Sequence, residues 1–315
     1  MGRLRFQVTL ANDYEFYLPL VYKPERIPML GVHIEGEARD QAEFLVAGSF
    51  VRLWVNWEDY EESPRVYIWS GILERNLDAL RDYKVILCVK NTPSWARVNP
   101  SEQCSPPKKG CFEEYANFLD ALIRHCEPWG VEYYNEPEGK IAIRPDLISC
   151  FGDGYEGGAY YGELVKTISP YLKGLHPNVV LLAGALCGGY SQFAKGFLEW
   201  AQDNFDYLSF HGYAQYERGQ TSWSTMFNKA DEFKEHTNRP LFVTETSLTY
   251  DEYHDDAEQL QADYLDFILA NAKSKGVSGV IWYPLTSNNW ENSDLMFGSH
   301  KKPVYYVYER YLERA

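Results

Sequence analysis

The sequence has no apolar run that approaches the roughly 20 residues needed to cross a bilayer. Its first residues, Met1-Gly2-Arg3-Leu4-Arg5, also lack the apolar core of a signal peptide. The first absence predicts that a membrane is not a partner of this protein. The second leaves two locations open. We expect an extracellular protein whose leader is missing from this sequence, with a cytosolic protein as the alternative.

Positive charge is also scarce. The 315 residues include 30 Lys and Arg against 45 Asp and Glu, which gives a formal charge of −15. This balance disfavours nucleic acids and anionic membranes as partners and fits a neutral substrate. No Gly-x-Gly-x-x-Gly follows the first predicted strand, which weakens a dinucleotide-binding interpretation. We therefore predict that the protein works without a cofactor.

Aromatic residues, in contrast, make up 16% of the chain, with 25 Tyr and 9 Trp. They indicate either a tyrosine-rich core or a groove whose rings stack on sugar faces, and both can hold together.

The chain has six cysteines. Cys104 and Cys111 flank Ser-Pro-Pro-Lys-Lys-Gly, a loop of turn-forming residues. We expect a disulfide to close this loop, with free thiols as the alternative. Cys126 and Cys150 could also pair, although no feature of the sequence selects that pairing.

Short apolar segments alternate with stretches that have apolar residues at helical spacing. Predicted strands cover residues 29–34, 50–55, 84–89, 131–134, 179–184, 206–210, 241–244 and 279–283. Predicted helices cover residues 39–47, 70–83, 112–125, 161–175, 192–204, 225–236, 257–275 and 304–312. Eight alternating units predict an α/β fold, a single (β/α)8 TIM barrel over residues 29–315, with an open doubly wound sheet as the alternative. Residues 1–28 are predicted to form an extended lead-in that packs on the barrel, and residues 136–161 a functional loop or lid.

Two predicted strands end in a glutamate. Residues 131–137 read Val-Glu-Tyr-Tyr-Asn-Glu-Pro, and Pro137 stops the strand just after Glu136. Residues 240–246 read Pro-Leu-Phe-Val-Thr-Glu-Thr and place Glu245 in the same position. In a barrel the carboxyl ends of all strands meet on one face. Two carboxyls there are the minimum for acid/base and nucleophilic work on a glycosidic bond.

Strand parity predicts where the partners of these carboxyls point. Glu245 shares a strand face with Leu241 and Val243, which we predict to be the barrel-facing row. Arg52 projects away from its apolar neighbours, and an arginine inside a barrel needs a carboxylate partner. We expect Arg52 to support Glu245. A structural ion pair, or pairing of Arg52 with Glu35, is the alternative.

A set of residues carries a resemblance to a known group of proteins: Asn135-Glu136-Pro137, Glu245, His211-x-Tyr213, Arg52 and Trp282. This set resembles the large clan of retaining (β/α)8 glycoside hydrolases, which includes the cellulase-like family 5 and the β-xylosidase-like family 39. Thr-Pro-Ser-Trp-Ala at residues 92–96 is also similar to the strand-three loop of family 39 and its relatives. The resemblance covers nearly the whole chain.

The resemblance implies a role for each side chain. Glu136 would be the general acid/base, with a pKa raised by burial and a nearby negative charge. Glu245 would be the ionised nucleophile, about 5–5.5 Å from Glu136 as in retaining enzymes. Tyr213 would donate a hydrogen bond to Glu245, and Asn135 would bind the sugar 2-hydroxyl.

His211 would hold the hydrogen-bond network of the site, and Trp282 would be the platform beneath the sugar. Trp95 and Trp290 are candidates for neighbouring subsites, and Glu35 is a further candidate support residue.

Together these features predict a retaining glycoside hydrolase that cleaves β-linked poly- or oligosaccharide and has a carbohydrate as its partner. The sequence gives no sign of an oligomer, so a monomer is the working expectation. A non-catalytic carbohydrate-binding barrel is the alternative. A metal site with His33, Glu35 and His211 as ligands is a weaker alternative, because the ligand set is incomplete.

Overall fold

The computed structural model describes residues 28–69, 71–139, 149–217, 220–250, 256–286 and 292–314. The lead-in predicted for residues 1–28 lies outside these ranges apart from Pro28, and Trp290 lies outside them as well. In the described ranges, no helix combines the length and the apolar character that crossing a bilayer requires.

Eight parallel strands close into a barrel, and each pairs with the strands before and after it in the chain. They are β1 (Met29–His33), β2 (Phe50–Asn56), β3 (Lys84–Lys90), β4 (Gly130–Tyr133), β5 (Val180–Leu186), β6 (Tyr207–His211), β7 (Leu241–Thr246) and β8 (Val277–Trp282). The last strand closes the ring because β8 pairs with β1 in parallel register. The predicted (β/α)8 barrel is confirmed, and the open-sheet alternative is wrong.

Seven helices of eight or more residues in the described ranges surround the strands, and a single helical turn, Trp57–Tyr60, follows β2. The seven helices are α1 (Ile72–Ala79), α2 (Phe112–Cys126), α3 (Tyr155–Leu175), α4 (Gln192–Ala201), α5 (Thr225–Lys234), α6 (Ala257–Asn271) and α7 (Pro303–Leu312). The helix predicted for residues 39–47 is wrong. Two 3-10 turns, Ala38–Asp40 and Ala42–Phe44, replace it. The backbone hydrogen bonds there join residues three apart, as in a 3-10 helix, rather than four apart, as in an α-helix.

The loops that follow the barrel strands contain further short strands. Glu61–Ser63 pairs with Val66–Tyr67 after β2, and Met296–Phe297 pairs with His300–Lys301 after β8. A small sheet joins Ala214–Glu217 with Gln220–Thr221 and with Leu248–Tyr250. It ties together the loops after β6 and β7.

The barrel has two apolar layers, as the two-residue period of a strand requires. Five side chains, each from a different strand and none more than 5% exposed, fill the barrel interior: Phe50, Ile86, Leu182, Phe242 and Ile281. The residues beside them in sequence, such as Val51, Leu87 and Val243, belong to a larger cluster between the strands and the helices. This second layer attaches the helices to the barrel.

Part of the glycine-rich stretch predicted as a loop is helix, because α3 begins at Tyr155 rather than at residue 161. Its glycines allow α3 to pack directly on α4. A Cβ atom on Gly158 would lie 1.9 Å from the carbonyl oxygen of Phe193, and one on Gly162 would lie 2.6 Å from that of Phe197. Because glycine has low helix propensity, the sequence pattern did not predict the first turns of this helix. The close packing of α3 on α4 explains why glycines occur there.

The predicted disulfide between Cys104 and Cys111 is wrong. Cys104 pairs with Cys150, across a sequence separation of 46, and Cys111 is a free thiol. The bond joins the loop after β3 to the loop after β4, and the amide of Cys150 also donates to the carbonyl oxygen of Cys104 at 2.8 Å. Local turn propensity indicated a short closed loop, but the tertiary fold brings a distant cysteine closer.

Candidate active site

Glu245 reaches the barrel interior through an irregularity in β7. The predicted parity is wrong, since Leu241 and Val243 face the helices and Phe242 faces the interior. Between Val243 and Glu245 the register against β6 shifts by one residue. Such a bulge reverses the direction of the next side chain. Glu245 therefore points into the cup at the carboxyl ends of the strands, and it is only 4% exposed.

Arg52 lies in the barrel interior and is fully buried. Its Nη1 atom donates to Oε1 of Glu245 at 2.6 Å and its Nε atom to Oε2 of Glu132 at 2.7 Å. Its Nη2 atom donates to Oδ1 of Asn135 at 2.8 Å. The alternative pairing of Arg52 with Glu35 is wrong, because Glu35 instead accepts a hydrogen bond from the hydroxyl of Tyr283.

Glu136 is placed by a turn at the end of β4. Tyr134 and Glu136 both have left-handed backbone angles, with φ of 62° and 46°. Such angles are strained for residues with a side chain, so neighbouring contacts must hold them. The amide of Tyr134 donates to Val89 of β3 at 2.9 Å, and the amide of Glu136 donates to Ala185 of β5 at 3.1 Å. Hydrogen bonds to β3 and β5, the strands on either side of β4, therefore hold the turn.

The two carboxylates meet around one histidine. Nδ1 of His211 lies 2.9 Å from Oε1 of Glu136 and 3.4 Å from Oε2 of Glu245. One oxygen of each carboxylate and this ring nitrogen all lie within 4.8 Å of one another. Two residues far apart in the sequence are therefore close neighbours in the cup.

The electrostatics of this cluster favour a proton on His211 over a proton on Glu136. Burial alone would raise the pKa of Glu136, but the hydrogen bond and charge of His211, aided by Arg52 and Lys229, outweigh it, so this pKa is lowered. Burial alone would lower the pKa of His211, but the charges of Glu245 and Glu136 outweigh it, so that pKa is raised. The raised pKa predicted for Glu136 is wrong for the free protein, because a histidine cation faces this carboxylate.

Tyr213 completes the surroundings of Glu245. Its hydroxyl donates to Oε2 of Glu245 at 2.5 Å. Burial and the negative charge of Glu245 raise the pKa of this phenol far above its ordinary value. Tyr213 therefore stays a hydrogen-bond donor at any physiological pH, and Glu245 receives hydrogens from both sides.

The aromatic residue that faces the cup is Tyr283, which directly follows β8, and Trp282 faces away. Trp282 is fully buried against Tyr264 of α6, and its Nε1 atom donates to the carbonyl oxygen of Ser293 at 2.8 Å. This position corrects the platform predicted for Trp282. Ile281 fills the barrel interior, so parity sends Trp282 outward and Tyr283 inward. The Tyr283 ring lies 6.3 Å from that of Tyr213.

The remaining predicted residues lie at different distances from this centre. Glu35 reaches it through Tyr283, whose ring also lies 4.9 Å from that of His33. Trp95 is half-buried, and its ring packs edge-on against Trp57 at 5.7 Å. The structure thus places Trp95 in the wall of the loop after β3.

Two interior residues were not among the sequence candidates. Glu132 sits two positions before Tyr134 on β4 and is fully buried beside Arg52. Lys90 ends β3 with its ammonium 4.3 Å from the ring of Trp54. The available signal was strand parity: Glu132 alternates with Val131 and Tyr133 of the outer cluster, and Lys90 lies four positions from Ile86 in the barrel interior.

The cluster of Glu136, His211 and Glu245 also has a spacing that could hold a metal ion. The guanidinium of Arg52 already contacts Glu245, and its positive charge opposes a cation at the same place. The metal set considered from the sequence is divided: His33 contacts Arg52, and Glu35 contacts Tyr283. The donor set fits carboxylate chemistry better than metal binding.

The fold is a closed (β/α)8 barrel, and two carboxylates lie at the ends of β4 and β7. No protein-family profile and no curated protein matches the sequence. Solved structures do match the fold. One is a family 39 glycoside hydrolase from Bacteroides cellulosilyticus WH2, with a TM-score of 0.65 and 18% identity over 94% of this chain.

An endo-β1,6-glucanase matches with a TM-score of 0.64 and 16% identity over 91% of this chain and 75% of its own. A psychrophilic family 10 endo-β-1,4-xylanase matches with a TM-score of 0.64 and 14% identity over 90% of this chain and 96% of its own. This chain spans 65% of the length of the family 39 structure. At such identities the likeness is one of fold, and it confirms the resemblance to glycoside hydrolase barrels.

Proposed function

We propose that this protein is a retaining β-glycosidase that cleaves a β-linked poly- or oligosaccharide by double displacement. The observation that carries the proposal is the approach of Glu136 and Glu245: one carboxylate oxygen of each lies within 4.8 Å of the other. Retaining enzymes keep their carboxyl groups about 5–5.5 Å apart, whereas inverting enzymes need about 6.5–9.5 Å to admit a water molecule. The separation fits attack by a carboxylate on the sugar itself.

In the first step an oxygen of Glu245 bonds to the anomeric carbon while the glycosidic bond breaks. The leaving oxygen takes a proton from Glu136, which becomes a carboxylate. In the second step Glu136 takes a proton from water, and the resulting hydroxide displaces Glu245 from the anomeric carbon. Two displacements return the original anomeric configuration.

The proton that Glu136 delivers comes from His211. In the free protein the pair shares one proton, which rests mainly on Nδ1 of His211. The 2.9 Å hydrogen bond to Oε1 of Glu136 is the path by which it reaches the carboxylate as the leaving oxygen gains charge. The pair therefore acts as one acid with two sites.

Arg52 and Tyr213 prepare the nucleophile. Their hydrogen bonds at 2.6 and 2.5 Å go to different oxygens of Glu245, which fixes the orientation of the carboxylate. Asn135 accepts a hydrogen bond from Arg52, and this contact supports a role for Asn135 in binding the 2-hydroxyl of the sugar. Tyr283 takes the role of the aromatic floor from Trp282.

The substrate class and location are part of the proposal. The structural neighbours are described as a family 39 hydrolase, an endo-β1,6-glucanase and an endo-β-1,4-xylanase. The β-linkages named for the glucanase and the xylanase support a β-linked glycan here, and the net charge of −15 supports a neutral one. The Cys104–Cys150 disulfide supports an extracellular protein, since disulfides persist in oxidising compartments.

A screen over glucans, xylan, mannan and aryl β-glycosides tests the proposal. We expect hydrolysis with Glu245→Ala reducing turnover by at least 10³-fold, as expected when a nucleophile is removed. Proton NMR of the first-formed sugar should show the β-anomer. Near-normal turnover of the Glu245→Ala variant, or an inverted product, would refute the mechanism.

A non-catalytic carbohydrate-binding barrel is the second candidate. The feature in its favour is that the hydrogen bond and charge of His211 lower the pKa of Glu136, whereas a general acid needs a raised pKa. Calorimetric binding to the same glycans, with no product after prolonged incubation, would support this candidate over the glycosidase.

A further inference from the structure

A second carboxylate lies behind the proposed nucleophile, and the chemistry above does not use it. Glu132 is on β4 and is 0% exposed, with its side chain in the barrel interior. A buried carboxylate is costly unless a charge or hydrogen bond compensates it. Its partner in the described residues is Arg52, at 2.7 Å, and its other oxygen has no hydrogen-bond partner there.

Arg52 uses each of its three nitrogen atoms for a different purpose. Nε faces Glu132, Nη1 faces Glu245, and Nη2 faces Asn135. A guanidinium is planar, so fixing Nε fixes the directions of both other nitrogens. Glu132 therefore sets the angle at which Arg52 presents its two remaining donors to the cup.

The charges of the three groups also matter. Arg52 lies between two carboxylates, and the trio carries one negative charge. Without Glu132, the guanidinium and Glu245 would form a neutral, tightly bound pair in a low-dielectric interior. A carboxylate paired in that way is a weaker nucleophile, because its electrons are held by the full positive charge of its partner.

We propose that Glu132 is a positioning residue for the nucleophile, which anchors Arg52 and shares its charge so that Glu245 stays oriented and reactive. This inference rests on the proposed function, since it assigns Glu245 the attack on the sugar. The role is indirect, because Glu132 has no exposed surface with which to contact substrate.

Two substitutions separate anchoring from charge. Glu132→Gln keeps the shape and an acceptor for Nε but removes the charge, and Glu132→Ala removes both. We expect Glu132→Gln to lower kcat by roughly 10- to 100-fold while KM changes less than about threefold, because misorientation of reacting groups costs this order of rate. Glu132→Ala should lose more.

Asp294→Asn is the matched control. Asp294 and Lys302 form another buried ion pair, at 2.5 Å and 4% side-chain exposure each, with no contact to Arg52. This variant should lose thermal stability to a similar extent as Glu132→Gln but keep kcat within about twofold, since removing one partner of a buried pair is mainly a stability effect. Equal kcat values for Glu132→Gln and Asp294→Asn would overturn the proposal.

A readout independent of turnover keeps this test separate from the proposed function. The charged groups that act on the His211 ring include Glu136, Glu245, Glu138, Arg52 and Lys229, and the titratable ring of His33 also lies nearby. Removing the charge of Glu132 leaves Arg52 less balanced, which disfavours the histidine cation. Imidazole NMR should therefore show His211 titrating at lower pH in Glu132→Gln than in wild type.

An unchanged His211 titration in folded Glu132→Gln would also overturn the inference. If instead the titration shifts but the wild-type protein cleaves no glycan, the electrostatic link stands and the proposed function fails. The two failures are therefore distinguishable.

Discussion

Nδ1 of His211 lies 2.9 Å from Oε1 of Glu136, and the two residues hold one proton between them. In the proposed mechanism this pair, rather than either residue alone, is the acid. The pair binds its proton more tightly than an isolated glutamate does, because the negative charges of Glu136 and Glu245 stabilise protonated His211. The pH behaviour of the protein follows from this contact.

Replacing His211 should narrow the active pH range from the alkaline side. In wild type the pair keeps its proton above the ordinary histidine value of 6.5, because the pKa of His211 is raised. In His211→Gln only Glu136 can hold the proton, so the alkaline limb of kcat/KM should move towards lower pH. The pH–rate profile measures this shift. His176→Gln, at a histidine bound to Asp120, is the control and should leave both limbs unchanged.

Removing the hydroxyl of Tyr213 should slow the chemical step. Tyr213→Phe deletes a hydrogen bond to a charged oxygen of Glu245, a contribution of about 1.5–3 kcal/mol, or roughly 10- to 100-fold in kcat. Steady-state kinetics on an aryl glycoside measures it. Tyr133→Phe removes a buried hydroxyl that contacts Ser169 and should leave kcat unchanged. A comparable loss of kcat in both variants would contradict the assignment.

Substitution of Trp282 should affect mainly stability, whereas substitution of Tyr283 should affect catalysis. Trp282→Phe leaves the carbonyl of Ser293 without its donor and should lower the free energy of unfolding by about 1–3 kcal/mol, with little change in kcat/KM. Tyr283→Phe frees Glu35 and should lower kcat/KM by roughly 10-fold, as for the loss of a hydrogen bond to a charged group. Denaturant unfolding and kinetics measure the two effects. The reverse pattern would restore Trp282 as the sugar platform.

Breaking the disulfide should loosen the segment that carries Glu136. The amides of Ser149 and Phe151, on either side of Cys150, donate to the carbonyl oxygens of Asn135 and Pro137. Reduction, or Cys150→Ser, should lower the free energy of unfolding by about 2–4 kcal/mol.

The same change should lower kcat, because the turn that positions Glu136 loses its attachment to the loop after β3. Cys111→Ser alters a free thiol and is the control, with both values expected to match wild type. If kcat is insensitive to reduction while stability falls, the disulfide serves the fold alone.

The barrel could be predicted because alternating apolar segments leave few ways to bury parallel strands. The carboxylates could be predicted because burying a glutamate at the end of such a strand costs free energy, which makes a functional role the expected reason for it. The disulfide partner and the first helix could not, because each depends on contacts between distant segments or on exact turn geometry.

Glu245 shows where pattern and structure diverge. Strand parity assigned its side chain to the correct face for the wrong reason: Phe242, not Val243, fills the interior, and a bulge restores the inward direction. A two-residue period carries no information about where it is interrupted.

By itself, then, the sequence determined the class of fold and the two acidic residues, because burial patterns and chain-breaking residues are local properties. Only the tertiary structure decided which side chains meet in the cup, which aromatic ring faces it, and that Glu132 lies behind Arg52. Those relationships join strands that are distant in the chain, and their energies arise from charges a few ångströms apart in a dry interior.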